Sequence, residues 1–186
     1  MKILRKYILL IMREEYKILI DKETLSKRVK DLASRIKKDF SGKKPVLLCV
    51  LKGAVIFFTD LIRELDIDID LDFVRLSSYK NGTKSSGKVT FGENTSIDLK
   101  GRDVIVVEDI IDSGRTLSFY FEYLKNIGVN SVKGCVLLDK PSRREVDVKM
   151  DYVGFEIEDL FVVGYGLDYA EKYRNLKDVC VLEFKD

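Results

Sequence analysis

The sequence contains no histidine among its 186 residues. Ser-His-Asp and Cys-His catalysis are therefore excluded, and so is any metal site built on imidazole ligands. A bound metal ion would need oxygen ligands, which favours magnesium, and a general base would have to be a carboxylate or a lysine.

Cysteine is also scarce, since the chain has only Cys49, Cys135 and Cys180. Their spacing matches no zinc motif, and an odd number cannot form a closed set of disulfides. Each lies in an apolar, strand-like run, so we expect buried thiols in a protein of the reducing cytoplasm.

The chain carries little net charge and no long apolar run. Its formal charge of +2 gives no overall field that favours nucleic acid or an anionic membrane. The apolar run at residues 7–11 is too short to span a bilayer, and charged residues follow where a signal peptide would have small ones. The length and a hydrophobic content of 46% predict one α/β domain with a substantial core.

The most informative stretch is an apolar strand that leads into an acidic pair. Residues 104–107 are all β-branched and predict a strand buried on both faces, and Glu108 and Asp109 follow at its carboxyl end. Because burying unpaired charge is costly, these carboxylates must reach solvent there or meet a cation. Ligands bind at this edge of an open parallel sheet.

A short turn at residues 112–116 then opens a helix. Gly114 allows the backbone to approach a ligand closely, and Ser113, Thr116 and the free amides of the first helical turn suit a phosphate. Walker and Rossmann loops need other glycine patterns. A helix cap after a buried strand explains each residue singly, but together they favour a ligand with a phosphate at one end and hydroxyls or a metal-bound pyrophosphate at the other.

The remaining pattern is that of an α/β sheet. Asp21 is expected to cap a helix that runs to Phe40, and the alternation of residues 67–74 predicts a strand near the sheet edge. Further strands are predicted at residues 16–20, 45–51, 132–138 and 179–182, and the short apolar segments 152–157 and 161–166 suit a small cap.

Other candidate residues have ordinary explanations when taken alone. Lys52-Gly53 is more often a helix entry than a site, and Lys140 is by itself a solvated lysine at a strand end. Core packing is the preferred explanation for Phe161. The polar residues 80–88 have the composition of a disordered surface loop, with an active-site lid as the alternative.

Residues 104–116 resemble the phosphoribosyl pyrophosphate (PRPP) signature of the type I phosphoribosyltransferases, and matches over residues 12–184 are similar to the hypoxanthine-guanine branch. The resemblance implies a single α/β domain over residues 1–186, with a mainly parallel central sheet flanked by helices. It also implies a small hood subdomain formed by the N-terminal segment and about residues 155–186, and a mobile loop at about residues 77–98. Residues 1–11 have no assigned counterpart, so Met12 is a second candidate start.

In that family the signature binds PRPP. By resemblance Asp112 would be the general base that takes a proton from the purine, and Glu108 and Asp109 would bind the ribose hydroxyls directly or through Mg2+. Asp168 would ligate a second Mg2+. The implied PRPP- and phosphate-binding residues are Glu108, Asp109, Ile111, Asp112, Ser113, Gly114, Arg115 and Thr116.

The pyrophosphate and purine subsites are implied in the same way. Lys52 and Gly53, after a cis Leu51-Lys52 peptide bond, would bind pyrophosphate together with Arg174, and the Ser78-Tyr79 pair of the mobile loop would close over the reacting centre. The implied purine-binding residues are Lys140 on the 6-oxo group, Phe161 stacked on the ring, Val162 through its backbone, and Asp168. Two positions depart from the pattern, because Arg115 and Leu160 stand where lysines are expected.

The implied activity is transfer of 5-phosphoribosyl from PRPP to hypoxanthine or guanine, which yields IMP or GMP and pyrophosphate with Mg2+ as cofactor. A xanthine-preferring enzyme is one alternative, and a non-catalytic regulator that binds PRPP or RNA on the same fold is another. The resemblance further implies small-molecule substrates, no nucleic-acid or membrane partner, and a homodimer or tetramer.

Overall fold

The computed structural model describes residues 13–76 and 95–185. Its helices and strands, in chain order, are β1 (Arg13–Ile20), α1 (Lys22–Asp39), β2 (Val46–Val50), α2 (Val55–Glu64), β3 (Asp70–Val74), β4 (Asp103–Ile111), α3 (Arg115–Asn126), β5 (Ser131–Asp139), β6 (Tyr152–Glu156), β7 (Val162–Val163) and β8 (Val179–Lys185). A short 3-10 turn follows β5 at Pro141–Arg143.

The main sheet has five parallel strands in the order β3-β2-β4-β5-β6. This confirms the predicted α/β architecture and the position of β3 at an edge. Strand β4 lies in the middle, and its residues Val104–Val107 are inaccessible to solvent. The turn at residues 112–116 therefore follows a central strand with a buried middle, as expected for a site that needs a rigid support.

Helices cover both faces of this sheet. Helix α1 begins where Asp21 accepts a hydrogen bond of 2.8 Å from the Thr24 amide, which confirms the predicted cap. Helices α1 and α2 belong to one hydrophobic core cluster, and α3 packs into a second with Leu117 and Leu124. The three cysteines are buried and free, and burial raises the pKa of the Cys49 thiol to about 12.

A second, antiparallel sheet has the strand order β1-β8-β7 and joins the two ends of the described chain. Arg13 lies opposite Lys185 in this sheet, and Val162 pairs with Val181. These are the segments predicted to form the hood, although their separation from the main sheet as a subdomain stays a prediction. Over residues 13–76 and 95–185, no helix has the length and apolar character needed to span a membrane.

Candidate active site

A cleft of about 490 Å³ opens where β4 ends. Six of the eight residues predicted to bind PRPP line it, namely Glu108, Ile111, Asp112, Ser113, Gly114 and Thr116. Arg143 and Glu145, which the sequence reasoning missed, line it as well. The structure thus brings Glu108 and the turn to one concave surface, whereas Asp109 is not among the lining residues.

The two carboxyl groups of the acidic pair differ in exposure, since Glu108 is partly buried and lines the cleft while Asp109 is buried. Asp109 is only 8% exposed. Burial raises the pKa of Glu108 well above its usual range, and the charge of Asp109 and a hydrogen bond to it add to the effect. Burial also raises the pKa of Asp109, although hydrogen bonds from Glu108 and from the Ile110 amide oppose the shift. A nearby cation would stabilise the charged form of both carboxyl groups, so this pair suits a divalent metal ion.

The metal ligands predicted from the sequence are not gathered into one cluster. Among the residues that the structure describes, no group of three or more Cys, Asp or Glu side chains forms a metal site. The Asp168 carboxylate instead pairs with Arg174 at 2.8 Å and accepts a hydrogen bond of 2.9 Å from the Glu171 amide. A magnesium ion held here would depend on oxygens supplied by the substrate, which is usual for this ion.

Glycines allow the strand ends to approach one another closely. A Cβ placed on Gly53 would lie 1.6 Å from Oδ2 of Asp109, and a Cβ on Gly166 would lie 2.0 Å from the carbonyl oxygen of Gly53. Any side chain at either position would displace its neighbour. The peptide bond between Leu51 and Lys52 is cis, as the resemblance implies.

Lys52 and Arg174, two of the residues predicted to bind pyrophosphate, share one carboxylate partner. Nζ of Lys52 lies 3.1 Å from Oε2 of Glu171, and the same oxygen lies 3.4 Å from Nη2 of Arg174. Arg174 also donates a hydrogen bond of 2.9 Å to the Gly166 carbonyl, and its buried Nε has no hydrogen-bond partner among the described residues. Glu171 was not predicted; its carboxylate bridges the two cations that the sequence reasoning assigned to an anionic ligand.

Lys140 is buried, so its ordinary explanation as a solvated lysine at a strand end does not hold, and its implied role at the purine stays a prediction. The residue is 7% exposed, and its Nζ lies 3.7 Å from Oδ1 of both Asp112 and Asp159. Arg143 also contacts Asp159, at 3.5 Å. The ammonium group is therefore fixed between two carboxylates from different elements, one of them the predicted general base.

Phe161 is half exposed, which does not fit the ordinary explanation of core packing, and its implied stacking on the purine stays a prediction. Its ring makes a T-shaped contact with the ring of Tyr169, with ring centroids 5.6 Å apart. Val162 follows in β7 with its side chain buried, and Leu160 packs against the larger core cluster. A half-exposed aromatic ring suits stacking on a flat heterocycle.

Some predicted site residues are not brought to the cleft. The Arg115 side chain is 71% exposed and pairs with Glu145 at 2.6 Å. Ser78 and Tyr79, most of the predicted mobile loop at about residues 77–98, and residues 1–12 lie outside the described residues. Their predicted roles remain predictions.

A segment behind the phosphate-suited turn was not anticipated. Arg144 donates a hydrogen bond of 2.7 Å to the Asp112 carbonyl, and the amides of Glu145 and Val146 donate to the Ser113 carbonyl at 3.0 and 3.1 Å. The sequence could have indicated this segment only by its position, because it follows the carboxyl end of β5, the strand that lies beside β4.

The site lies at the edge of a parallel sheet, where a strand leads into an acidic pair and a turn suited to an anion. The comparison with protein families agrees with this arrangement. The chain matches the model of the phosphoribosyl transferase domain family over residues 15–170, and it belongs to that family. The hypoxanthine-guanine phosphoribosyltransferase of Bacillus subtilis (strain 168) is 47% identical over 167 residues, which covers 90% of this chain and 93% of that protein.

Two further relatives extend the comparison. The bifunctional protein TilS/HprT of Listeria monocytogenes is 46% identical over 167 residues, and this chain spans only 26% of its length. A crystal structure of a hypoxanthine-guanine phosphoribosyltransferase from Bacillus anthracis superposes with a TM-score of 0.85 at 45% identity, and the match covers 92% of this chain and all of that one.

Proposed function

We propose that the chain transfers the 5-phosphoribosyl group of PRPP to hypoxanthine or guanine, giving IMP or GMP and pyrophosphate. The observation that carries this proposal is the single cleft that joins the 112–116 turn to Glu108, with the buried ammonium of Lys140 within 3.7 Å of Asp112. The similar proteins from Bacillus subtilis and Bacillus anthracis are both named hypoxanthine-guanine phosphoribosyltransferases, which supports the choice of these two bases. Nothing in the site favours a xanthine-preferring enzyme or a non-catalytic regulator.

PRPP has a charge distribution that suits the two ends of the site. Its 5′-phosphate would bind the turn at residues 112–116, where backbone amides and hydroxyls are available. Lys52 and Arg174 would bind the pyrophosphate, which requires that Glu171 move away from both cations. Bound magnesium would supply positive charge that neutralises the departing pyrophosphate, and Glu108 and Asp109 are the carboxylates that would hold it.

The reaction exchanges one bond at the anomeric carbon. The bond from that carbon to the pyrophosphate oxygen breaks as a purine nitrogen attacks from the opposite side, so the protein must hold both partners in line. Asp112 would accept the proton that the purine nitrogen loses, while Lys140 would donate a hydrogen bond to the 6-oxo group. The accessible face of Phe161 would stack on the purine ring.

Two further properties belong to the proposal. We infer a cytoplasmic enzyme, because the three buried thiols suit a reducing compartment. We also infer a homodimer or tetramer, on the resemblance alone.

A panel of four bases tests the activity. Hypoxanthine, guanine, xanthine and adenine are each incubated with PRPP and magnesium, and pyrophosphate release is measured with and without a chelator. We expect release with the first two bases only, and its loss on chelation. Release with xanthine alone, or no release with any base, would contradict the proposal.

The Asp112→Ala variant tests the base. We expect turnover to fall by a factor on the order of a hundred or more, with PRPP binding largely intact, because proton transfer contributes that much and the backbone amides remain. Unchanged turnover would remove Asp112 from this role.

A further inference from the structure

We propose that Arg144 is a positioning residue that aims the backbone amides of the phosphate turn at the ligand. The inference rests on the proposed function, because it takes the turn at residues 112–116 as the binding site of the 5′-phosphate. Arg144 would not contact the substrate.

Arg144 joins the turn to the end of a core strand. Its Nη1 donates a hydrogen bond of 2.7 Å to the Asp112 carbonyl, and its Nη2 pairs with the carboxylate of Asp139, the last residue of β5. The side chains of the two residues are 19% and 14% exposed, so this ion pair is largely buried. A guanidinium group can serve both acceptors at once because its donors diverge in a rigid fork.

The second carbonyl of the turn is held from the same side. The amides of Glu145 and Val146 both donate to the Ser113 carbonyl. Gly114, at φ +78°, packs directly on this segment, since a Cβ there would lie 2.9 Å from the Val146 carbonyl oxygen and 3.1 Å from Cδ of Arg144. The segment is therefore a fitted support for the turn.

Holding these carbonyls determines where the neighbouring amides point. A trans peptide unit is planar, and its C=O and N–H groups lie on opposite sides. The bond from Arg144 to the Asp112 carbonyl thus turns the Ser113 amide away from Arg144, and the bonds to the Ser113 carbonyl do the same for the Gly114 amide. Ser113 and Gly114 line the cleft, whereas Arg144 does not.

The experiment compares ligands that contain different parts of PRPP. We measure dissociation constants for ribose 5-phosphate and for magnesium pyrophosphate by calorimetry, together with KM for PRPP and for the purine. In Arg144→Gln we expect ribose 5-phosphate to bind at least about tenfold more weakly, since hydrogen bonds to charged groups are worth that much. The dissociation constant for pyrophosphate and the purine KM should change little.

Arg102 offers a matched control. It also bonds one carboxylate and one carbonyl, Asp70 at 2.6 Å and Lys44 at 3.2 Å, but it precedes β4 at the other end of the sheet. Arg102→Gln should destabilise the protein without weakening ribose 5-phosphate binding. An equal loss of that affinity in Arg102→Gln would overturn the proposal, because it would show a general effect of destabilisation.

Removing Arg144 leaves Asp139 without its charge partner, so the glutamine variant can fail to fold. Arg144→Lys keeps a positive charge there but lacks the fork that reaches both acceptors. We expect it to remain folded and still to bind ribose 5-phosphate weakly, and parental affinity would overturn the proposal. A parent protein that binds no ribose 5-phosphate would instead refute the proposed function, so the two failures are distinguishable.

Discussion

Gly53→Ala should displace the buried carboxylate of Asp109 although it replaces no charged residue. The new Cβ would lie 1.6 Å from Oδ2 and 2.6 Å from Cγ of Asp109, whereas real Cβ atoms essentially never approach closer than 3.0 Å. The carboxylate must therefore move by at least about 1.4 Å. Asp109 has little freedom to do so, because it is 8% exposed and its Oδ1 accepts a hydrogen bond of 2.8 Å from the Ile110 amide.

The expected cost follows from the size of this displacement. A shift of about 1 Å in a binding or catalytic group can reduce activity by a factor on the order of a hundred. We expect that loss in kcat/KM for PRPP, measured by pyrophosphate release at saturating hypoxanthine and magnesium. We also expect weaker PRPP binding by calorimetry.

A double-mutant cycle isolates the cause. In an Asp109→Ala background there is no carboxylate to displace, so adding Gly53→Ala should reduce PRPP affinity little further. Gly42→Ala is the control for adding a methyl group, because Gly42 has no atom within 4 Å of the added Cβ and its φ of +72° makes strain the main effect. Parental kinetics in Gly53→Ala, or strict additivity in the cycle, would refute the reasoning.

Three further outcomes are expected. Glu171→Gln should bind pyrophosphate a few-fold more tightly than the parent, because the carboxylate that pairs with both Lys52 and Arg174 is gone. Glu183→Gln is the control, since it removes an exposed ion pair of the second sheet and should leave pyrophosphate affinity unchanged. Weaker pyrophosphate binding in Glu171→Gln would contradict the assignment of the two cations to pyrophosphate. Phe161→Ala should raise the purine KM by roughly tenfold or more with PRPP affinity retained, as loss of a stacking ring predicts, and an unchanged KM would exclude stacking. Hydrogen bonds, chiefly from Ser131, hold the pKa of Asp103 below its usual 3.8, so its contribution to stability is present above that pH and is lost as the pH falls through the lowered pKa. Asp103→Ala should therefore cost about 1–3 kcal/mol at pH 7 and less at pH 3 by chemical denaturation, and an equal cost at both would contradict the pKa shift.

Features with a local signal were predictable from the sequence. The strand, acidic pair and turn around residues 104–116 depend on neighbouring residues, and so does the cap at Asp21. The edge position of β3 followed from its alternating pattern. In each case the physical cause lies within one turn or one strand, so the order of residues along the chain is sufficient.

Features created by distant contacts were missed. The burial of Lys140 was not predictable from its neighbours, because nothing near it along the chain indicates that Asp112 and Asp159 surround it in space. Glu171 lies in a polar stretch where an acidic residue usually faces water, and its contact with Lys52 depends on the complete fold. Arg144 belongs to a charged run with no periodicity, and its role becomes visible only once β5 is placed beside β4.

The pairing of β1 with β8 has a consequence for how the protein is made. The five parallel strands are complete once synthesis has passed Glu156, but the antiparallel sheet must wait for its last strand, Val179–Lys185, to leave the ribosome. The segment that carries Arg174 is tied to this sheet, because Lys172 contacts Glu14 of β1 at 3.4 Å. A nascent chain therefore completes the parallel sheet that carries the 112–116 turn before the antiparallel sheet can fix the segment of Arg174 in place.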